Sequence, residues 1–124
     1  MATREIPHDS WKEFFDGFSR RHQGWLATVE VLGAVGAQTE ARELPLEGIS
    51  VNDHSGKSID ISLGPPGKGV SHVVAKPSHV RIEEEGGADR ALQIESADGE
   101  TTLVTFRSAI PPEMVDGVLP DQGA

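Results

Sequence analysis

With 124 residues, 25% of them charged, and a formal net charge of −9, the chain has the size and polarity of one soluble domain. It has no cysteine, which excludes disulfides, thiolate metal sites and cysteine nucleophiles. The 20 acidic against 11 basic residues repel phosphate backbones and anionic membranes at long range, so neither nucleic acid nor a membrane is an expected partner.

The chain opens with MATREIPHDS, which carries charge and proline where a signal peptide needs an apolar run. No apolar stretch approaches the roughly 18 residues that span a bilayer. A cytoplasmic location is expected. The next segment, Ser10 to Trp25, holds five of the six aromatic residues: Trp11, Phe14, Phe15, Phe18 and Trp25. The first four recur at i, i+3, i+4 and i+7, one stripe of a helix. Ser10 and Glu13 have the spacing of a capping box. Arg20, Arg21 and His22 complement the dipole at the other end, and Gly24 is a natural stop. Phe14, Phe15, Phe18 and Trp25 are expected in the core, with Trp11 partly exposed beside the cap.

After Gly24 the period changes to two. Trp25 to Leu32 reads as a strand, GAVGAQ as a turn, and Thr39 to Val51 as a second strand. Leu44 and Leu46 share one parity and Ile49 and Val51 the other, so a bulge is predicted at Gly48. NDHSGK is a turn. Ser58 to Leu63 follows as a strand with Ile59, Ile61 and Leu63 inward. GPPGKG cannot hold a ladder. Val70 to Glu84 is strand-like but broken at Pro77, with Val80 and Ile82 inward in the second piece. EEEGGAD is a polar connection. In ALQIESADGETTLVTFRS a three-residue loop, Ala97-Asp98-Gly99 with Gly99 left-handed, sets Leu92 and Ile94 against Thr102, Val104 and Phe106. Residues 1–110 are thus expected to form one domain and residues 111–124 an arm with partial disorder. The fold class is α+β, mainly β. An N-terminal amphipathic helix packs on a small, strongly bent antiparallel sheet or SH3/Sm-like barrel of about five to six strands.

The segments IPHDSWKEFFDGFSRRHQGW, EARELPLEGIS, ALQIESADGETTLVTFRS and PPEMVDGV, spanning Ile6 to Val118, carry a resemblance. In them the chain resembles a bacterial family of small proteins known only as a domain of unknown function. The resemblance implies a free-standing, single-domain bacterial protein, and it carries over no reaction, cofactor or catalytic residue to any position.

Trp11, Arg20 and Arg21 are the candidate ligand-binding residues: an aromatic platform and two cations able to grip an anion. The competing reading gives the aromatics to the core and the arginines to the helix end. His8, His22, His54, His72 and His79 form no HxH or HxxxH pair, so no metal site is assigned. Glu83, Glu84, Glu85 and Asp89 lack the spacing of a calcium loop and read as a solvated charge run. There is no GxSxG, and GPPGKG lacks the GxxxxGK[ST] of a phosphate loop. Edge strands are a different signal, because unpaired ladder groups invite a second chain. GVSHVVA and GWLATVEVLG carry few charges and suit an edge-to-edge or face-to-face contact. The expected function is a non-enzymatic β-rich module acting through protein contact or self-association, with a protein partner or a homo-oligomer and no cofactor. The alternative is a small-ligand or metal-binding protein using the barrel mouth under the helix. A weaker alternative is an Sm-like nucleic-acid binder.

Overall fold

A helix apolar along one stripe and strands apolar at alternate positions each leave a face that must be covered. The computed structural model describes residues 2–34, 36–52, 57–65, 68–86 and 88–107, and in it these faces meet in one core. The elements in order are β1 (Ala2–Ile6), a 3-10 turn (His8–Ser10), α1 (Trp11–His22), β2 (Leu26–Gly33), β3 (Gly36–Asn52), β4 (Ser58–Leu63), β5 (Val70–Ala75), β6 (Pro77–Glu85), β7 (Ala88–Ser96) and β8 (Thr101–Arg107). The expected arm at 111–124, the Asp53-His54 turn and the centre of GPPGKG lie outside the described residues.

The strands form a single 8-stranded sheet in the order β1-β6-β7-β8-β2-β3-β4-β5, with every neighbour antiparallel. The mainly β character is as expected. The count of five to six strands and the SH3/Sm-like barrel are corrected: the sheet does not close, and β1 and β5 are its two ends. The extra end strand, β1, pairs along β6 from Ala2↔Glu84 to Ile6↔Val80. Only Ile6 of β1 is buried. The segment therefore has no apolar alternation to announce it, and its place comes from the partner.

The sheet turns at β3, which is 17 residues long. Its first part, up to Pro45, pairs with β2, and its second part, from Leu46, pairs with β4. The predicted bulge is present: Leu46 faces Leu63 and Gly48 faces Ser62, leaving Glu47 extra. Leu46 and Ile49 are thereby both buried although they differ in parity. Among the described residues no strand covers the other edge of β3 beyond the bulge, and α1 does so instead. The Ser19 hydroxyl accepts from the Ile49 N–H at 2.8 Å and donates to the Ile49 carbonyl at 3.0 Å. One helix side chain thus stands in for a ladder neighbour.

β4 buries Ile59, Ile61 and Leu63 completely, and β6 buries Val80 and Ile82, as the alternation predicts. The β7–β8 hairpin also follows expectation. Leu92 faces Val104 and Ile94 faces Thr102. Gly99 has φ 99°, and its N–H donates to Ser96 O at 3.0 Å. Phe106 lies opposite Ala27 of β2. The polar connection EEEGGAD is shorter than expected, because β6 continues to Glu85 and β7 starts at Ala88.

Helix α1 lays Trp11, Phe15, Phe18 and His22 on the sheet. Phe14 and Trp25 pack half-buried at the margin of this core. The capping box does not form. Ser10 already has helical angles, φ −104° and ψ −2°, and its side chain makes no cap bond. The chain enters through the 3-10 turn, where the Ser10 N–H donates to Pro7 O, whereas a capping side chain needs an extended backbone. Gly24 ends the helix at φ 86°. Its N–H donates to Leu46 O, and the Leu46 N–H returns to Trp25 O, so the helix exit is sewn to β3.

Candidate functional site

Trp11 is not the half-exposed platform expected of it. It is 1% exposed, and its indole Nε1 donates to Ile6 O at 2.9 Å. His8 stacks on the ring at 4.3 Å, and the Lys57 ammonium sits 5.5 Å from its centre. The ring locks β1 to the helix start. The helix stands where the alternative reading puts a barrel mouth, and Trp11, Phe15 and Phe18 fill the space beneath it.

Arg20 lies on the outer side of α1 and borders two open clefts. One, of about 430 Å³, is lined by Asp16, Ser19, Arg20, Glu47 and the β3–β4 residues Ser50 and Ser62. The other, of about 460 Å³, is lined by Asp9, Lys12, Glu13, Asp16 and Arg20. Four carboxylates share these clefts with the arginine and offset the field a phosphate backbone would need. Arg21 lines neither cleft; its guanidinium lies toward Gly17, with Nη1 3.1 Å from where a Cβ there would sit. The three candidates are therefore not brought into one site.

The sequence reading missed a pair that spans the helix and the sheet. His22 was assigned to the helix terminus, and its Nδ1 does donate to Phe18 O at 2.9 Å. Its other nitrogen, Nε2, lies 3.2 Å from Asp89 Oδ2, and the two side chains are 5% and 16% exposed. Asp89 is thus the exception in the acidic run. Its neighbours behave as solvated charges: Glu84 reaches Arg4 at 3.8 Å, and Glu85 bonds Arg90. The His22 ring stacks on Phe18 at 4.0 Å and meets Trp25 edge-on at 4.7 Å. Nδ1 is committed to Phe18 O and Nε2 faces the Asp89 carboxylate, so the protein itself occupies the surroundings of both ring nitrogens. A buried His at position i with Phe at i−4 was the available signal; the aspartate 67 residues on had none.

The remaining described histidines are also engaged or peripheral. His8 Nε2 donates to Ser78 O at 2.7 Å. His79 Nδ1 donates to Glu5 Oε2 at 2.7 Å. His72 borders a small cleft of about 130 Å³ with Ser96, Asp98, Glu100 and Thr102. No group of three or more histidine or carboxylate side chains is placed to hold a metal among the described residues. Among these residues no helix is long and apolar enough to cross a membrane.

Among the described residues two carboxyls, Glu5 and Glu43, are held below the usual carboxylate range. The hydrogen bond from His79 lowers Glu5, aided by the charges of His79, Arg81 and His8. The hydrogen bond and charge of Arg107 lower Glu43. Glu5 is on β1, so its protonation acts on the outermost strand. A lowered carboxyl stabilises the fold above its ordinary value of about 4.5, and the contribution disappears as pH falls through the lower, folded value. Protection of the β1 amides that face β6 is therefore expected to fade below pH 4.5 while that of β7 persists. Hydrogen exchange across an acid series measures this; β1 protection unchanged down to pH 2 contradicts it.

The two segments read as contact strands have different fates. GWLATVEVLG supplies β2, which lies between β8 and β3 in the sheet interior. The edge-to-edge part of that expectation is corrected, because both its ladders are filled. GVSHVVA supplies β5, which is an end of the sheet. Val70 and Val73 of β5 are 47% and 55% exposed. The other end, β1, carries Arg4 and Glu5; β5 carries no Lys, Arg, Asp or Glu.

The fold and these surfaces define a class of small, helix-covered, open antiparallel sheets with one uncharged end. The chain belongs to DUF5335, a family of unknown function, with the match covering residues 2–114. It is similar to an uncharacterized protein of Aquifex aeolicus (strain VF5), 27% identical over 112 residues, which covers 90% of this chain and 97% of that protein. No solved structure matches.

Proposed function

We propose that this protein is a non-enzymatic β-rich module that acts through protein contact, by accepting a strand at the β5 edge. The observation that carries this is the edge itself: an uncharged end strand with two exposed valines on a chain of net charge −9. Strand addition draws affinity from the unpaired main-chain groups and specificity from alternate side chains. The occupied nitrogens of His22 support a structural role for the histidine that most resembles a catalytic one. The cleft beside Arg20 supports a second reading, a small polar ligand, less strongly because carboxylates line the same clefts.

A photoreactive residue at position 73, compared with one at the exposed Leu32, tests the proposal in cells. Covalent adducts formed from position 73 and not from position 32 are expected. No adduct at position 73, or equal adducts at both, overturns the reading.

A further inference from the structure

We infer that the cleft between β5 and the β7–β8 hairpin is a binding site for a primary ammonium group on a short alkyl chain. The inference goes beyond the strand-accepting reading and does not depend on it. It starts from core-side positions that are polar. On β7 the buried residues Leu92 and Ile94 are followed, two positions on, by Ser96. On β8 the buried Val104 and Phe106 are preceded by Thr102. On β5 His72 precedes the buried Val74 and faces the core residue Ile61. The sheet ends at β5 without closing, and there these three polar residues line one cleft of about 130 Å³.

Thr102 is 3% exposed and Ser96 is 7% exposed. The main chain of Ser96 is satisfied: its N–H donates to Glu100 O at 2.8 Å, and its carbonyl accepts from the Gly99 N–H. Neither the Ser96 nor the Thr102 hydroxyl has a hydrogen-bond partner among the described residues. A buried hydroxyl without a partner costs its desolvation, and native structures pair such groups. Two of them in one cleft point to a ligand that bonds them.

Charge sets the sign of that ligand. Asp98 and Glu100 stand at the exposed mouth, and among the described residues no Lys or Arg lines the cleft. The chain carries a net charge of −9, so its field favours a cation. The mouth is held in place: Asp98 Oδ1 accepts from the Glu100 N–H at 3.2 Å, and the Ala97 N–H donates to Lys76 O at 2.8 Å. Among the described residues no three histidine or carboxylate groups gather closely enough for a metal ion, so an organic cation fits better. An ammonium is a compact charge with three donors, a match for two hydroxyls and a carboxylate. Val73 and Ala75 on the β5 side offer an apolar wall to its alkyl chain.

Titration of the full chain with n-butylammonium chloride tests this, followed by amide NMR shifts at constant pH and ionic strength. Saturable shifts at His72, Ser96 and Thr102 are expected, with a Kd of about 1 mM. Tetramethylammonium carries the charge but no N–H, and it is expected to give none. Thr102→Val replaces a hydroxyl that the protein does not use, so this variant is expected to melt no lower than the wild type. Its affinity for n-butylammonium is expected to fall about tenfold. Asp98→Asn keeps the oxygen that accepts from the Glu100 N–H and is expected to weaken binding without disturbing the core. Shifts that never saturate, or equal shifts from both cations, overturn the inference. So do variants that bind as the wild type does, or a destabilised Thr102→Val, whose hydroxyl would then have a partner in the protein. Nα-acetyl-lysine N-methylamide separates two sources of the ammonium. Binding about tenfold tighter than n-butylammonium marks a lysine of another chain, and binding no tighter marks a free amine.

Discussion

Phe18→Ala is expected to cost about 3–5 kcal/mol, the range for truncating a fully buried phenylalanine. Phe18 is 0% exposed and sits where the helix, the sheet and the buried histidine meet. Its ring stacks on His22 at 4.0 Å, lies 5.2 Å from Phe106 on β8, and is 5.6 Å from Phe14. Two things are lost together: the apolar transfer of the ring and the surface on which the His22 imidazole rests. The neighbours are poorly able to collapse into the gap, because the Ser19–Ile49 bonds and the Gly24–Leu46 bond hold the helix at a fixed distance from β3. A domain of this size has about 5–15 kcal/mol in total, so the variant sits near or beyond its unfolding threshold. Urea unfolding followed by tryptophan fluorescence reads the change. A loss under about 1 kcal/mol means that the helix is not part of the cooperative core.

Asp89→Ala is the second large effect, expected at about 2–4 kcal/mol from a residue that makes almost no apolar contribution. The loss comes from what remains. The His22 ring stays buried among Phe18, Trp25 and Phe106 with Nδ1 committed to Phe18 O, and its Nε2 faces an empty position. A buried polar group without a partner costs its desolvation, which is larger than the net worth of the bond it once made. Asp89→Asn keeps an oxygen in place and is expected to lose less. Pairing Asp89→Ala with His22→Leu in a double-mutant cycle separates the contact from the packing: the two losses are expected to be strongly non-additive, since residues in direct contact couple. Additive losses would mean that the 3.2 Å approach carries no interaction energy.

Much of the local structure was legible because it is written in short periods. The stripe Trp11, Phe14, Phe15, Phe18 specifies a helix and its inner face. The alternation Ile59, Ile61, Leu63 specifies a strand and which side is buried. The parity change around Gly48 announces a bulge, and Asp98-Gly99 sets the hairpin register through the one residue that accepts φ 99° without strain. Each of these is decided within a few residues, where backbone geometry and burial act on neighbours in sequence.

What only the tertiary structure decided is who stands next to whom. Ala2–Ile6 is a strand because β6 offers it an edge, not because its own residues favour one. Trp11 is buried because β1 and the 3-10 turn close over it, which hides the candidate platform and leaves Arg20 alone at the clefts. His22 and Asp89 meet across 67 positions, and neither residue carries a local mark of the other. Two strands of similar composition, Leu26–Gly33 and Val70–Ala75, end up in the interior and at the end of the same sheet. A period of two tells a side chain which face it takes, but it holds no information on whether the main chain beside it is paired. That pairing is a long-range choice, and it leaves β5 rather than β2 at an end of the sheet.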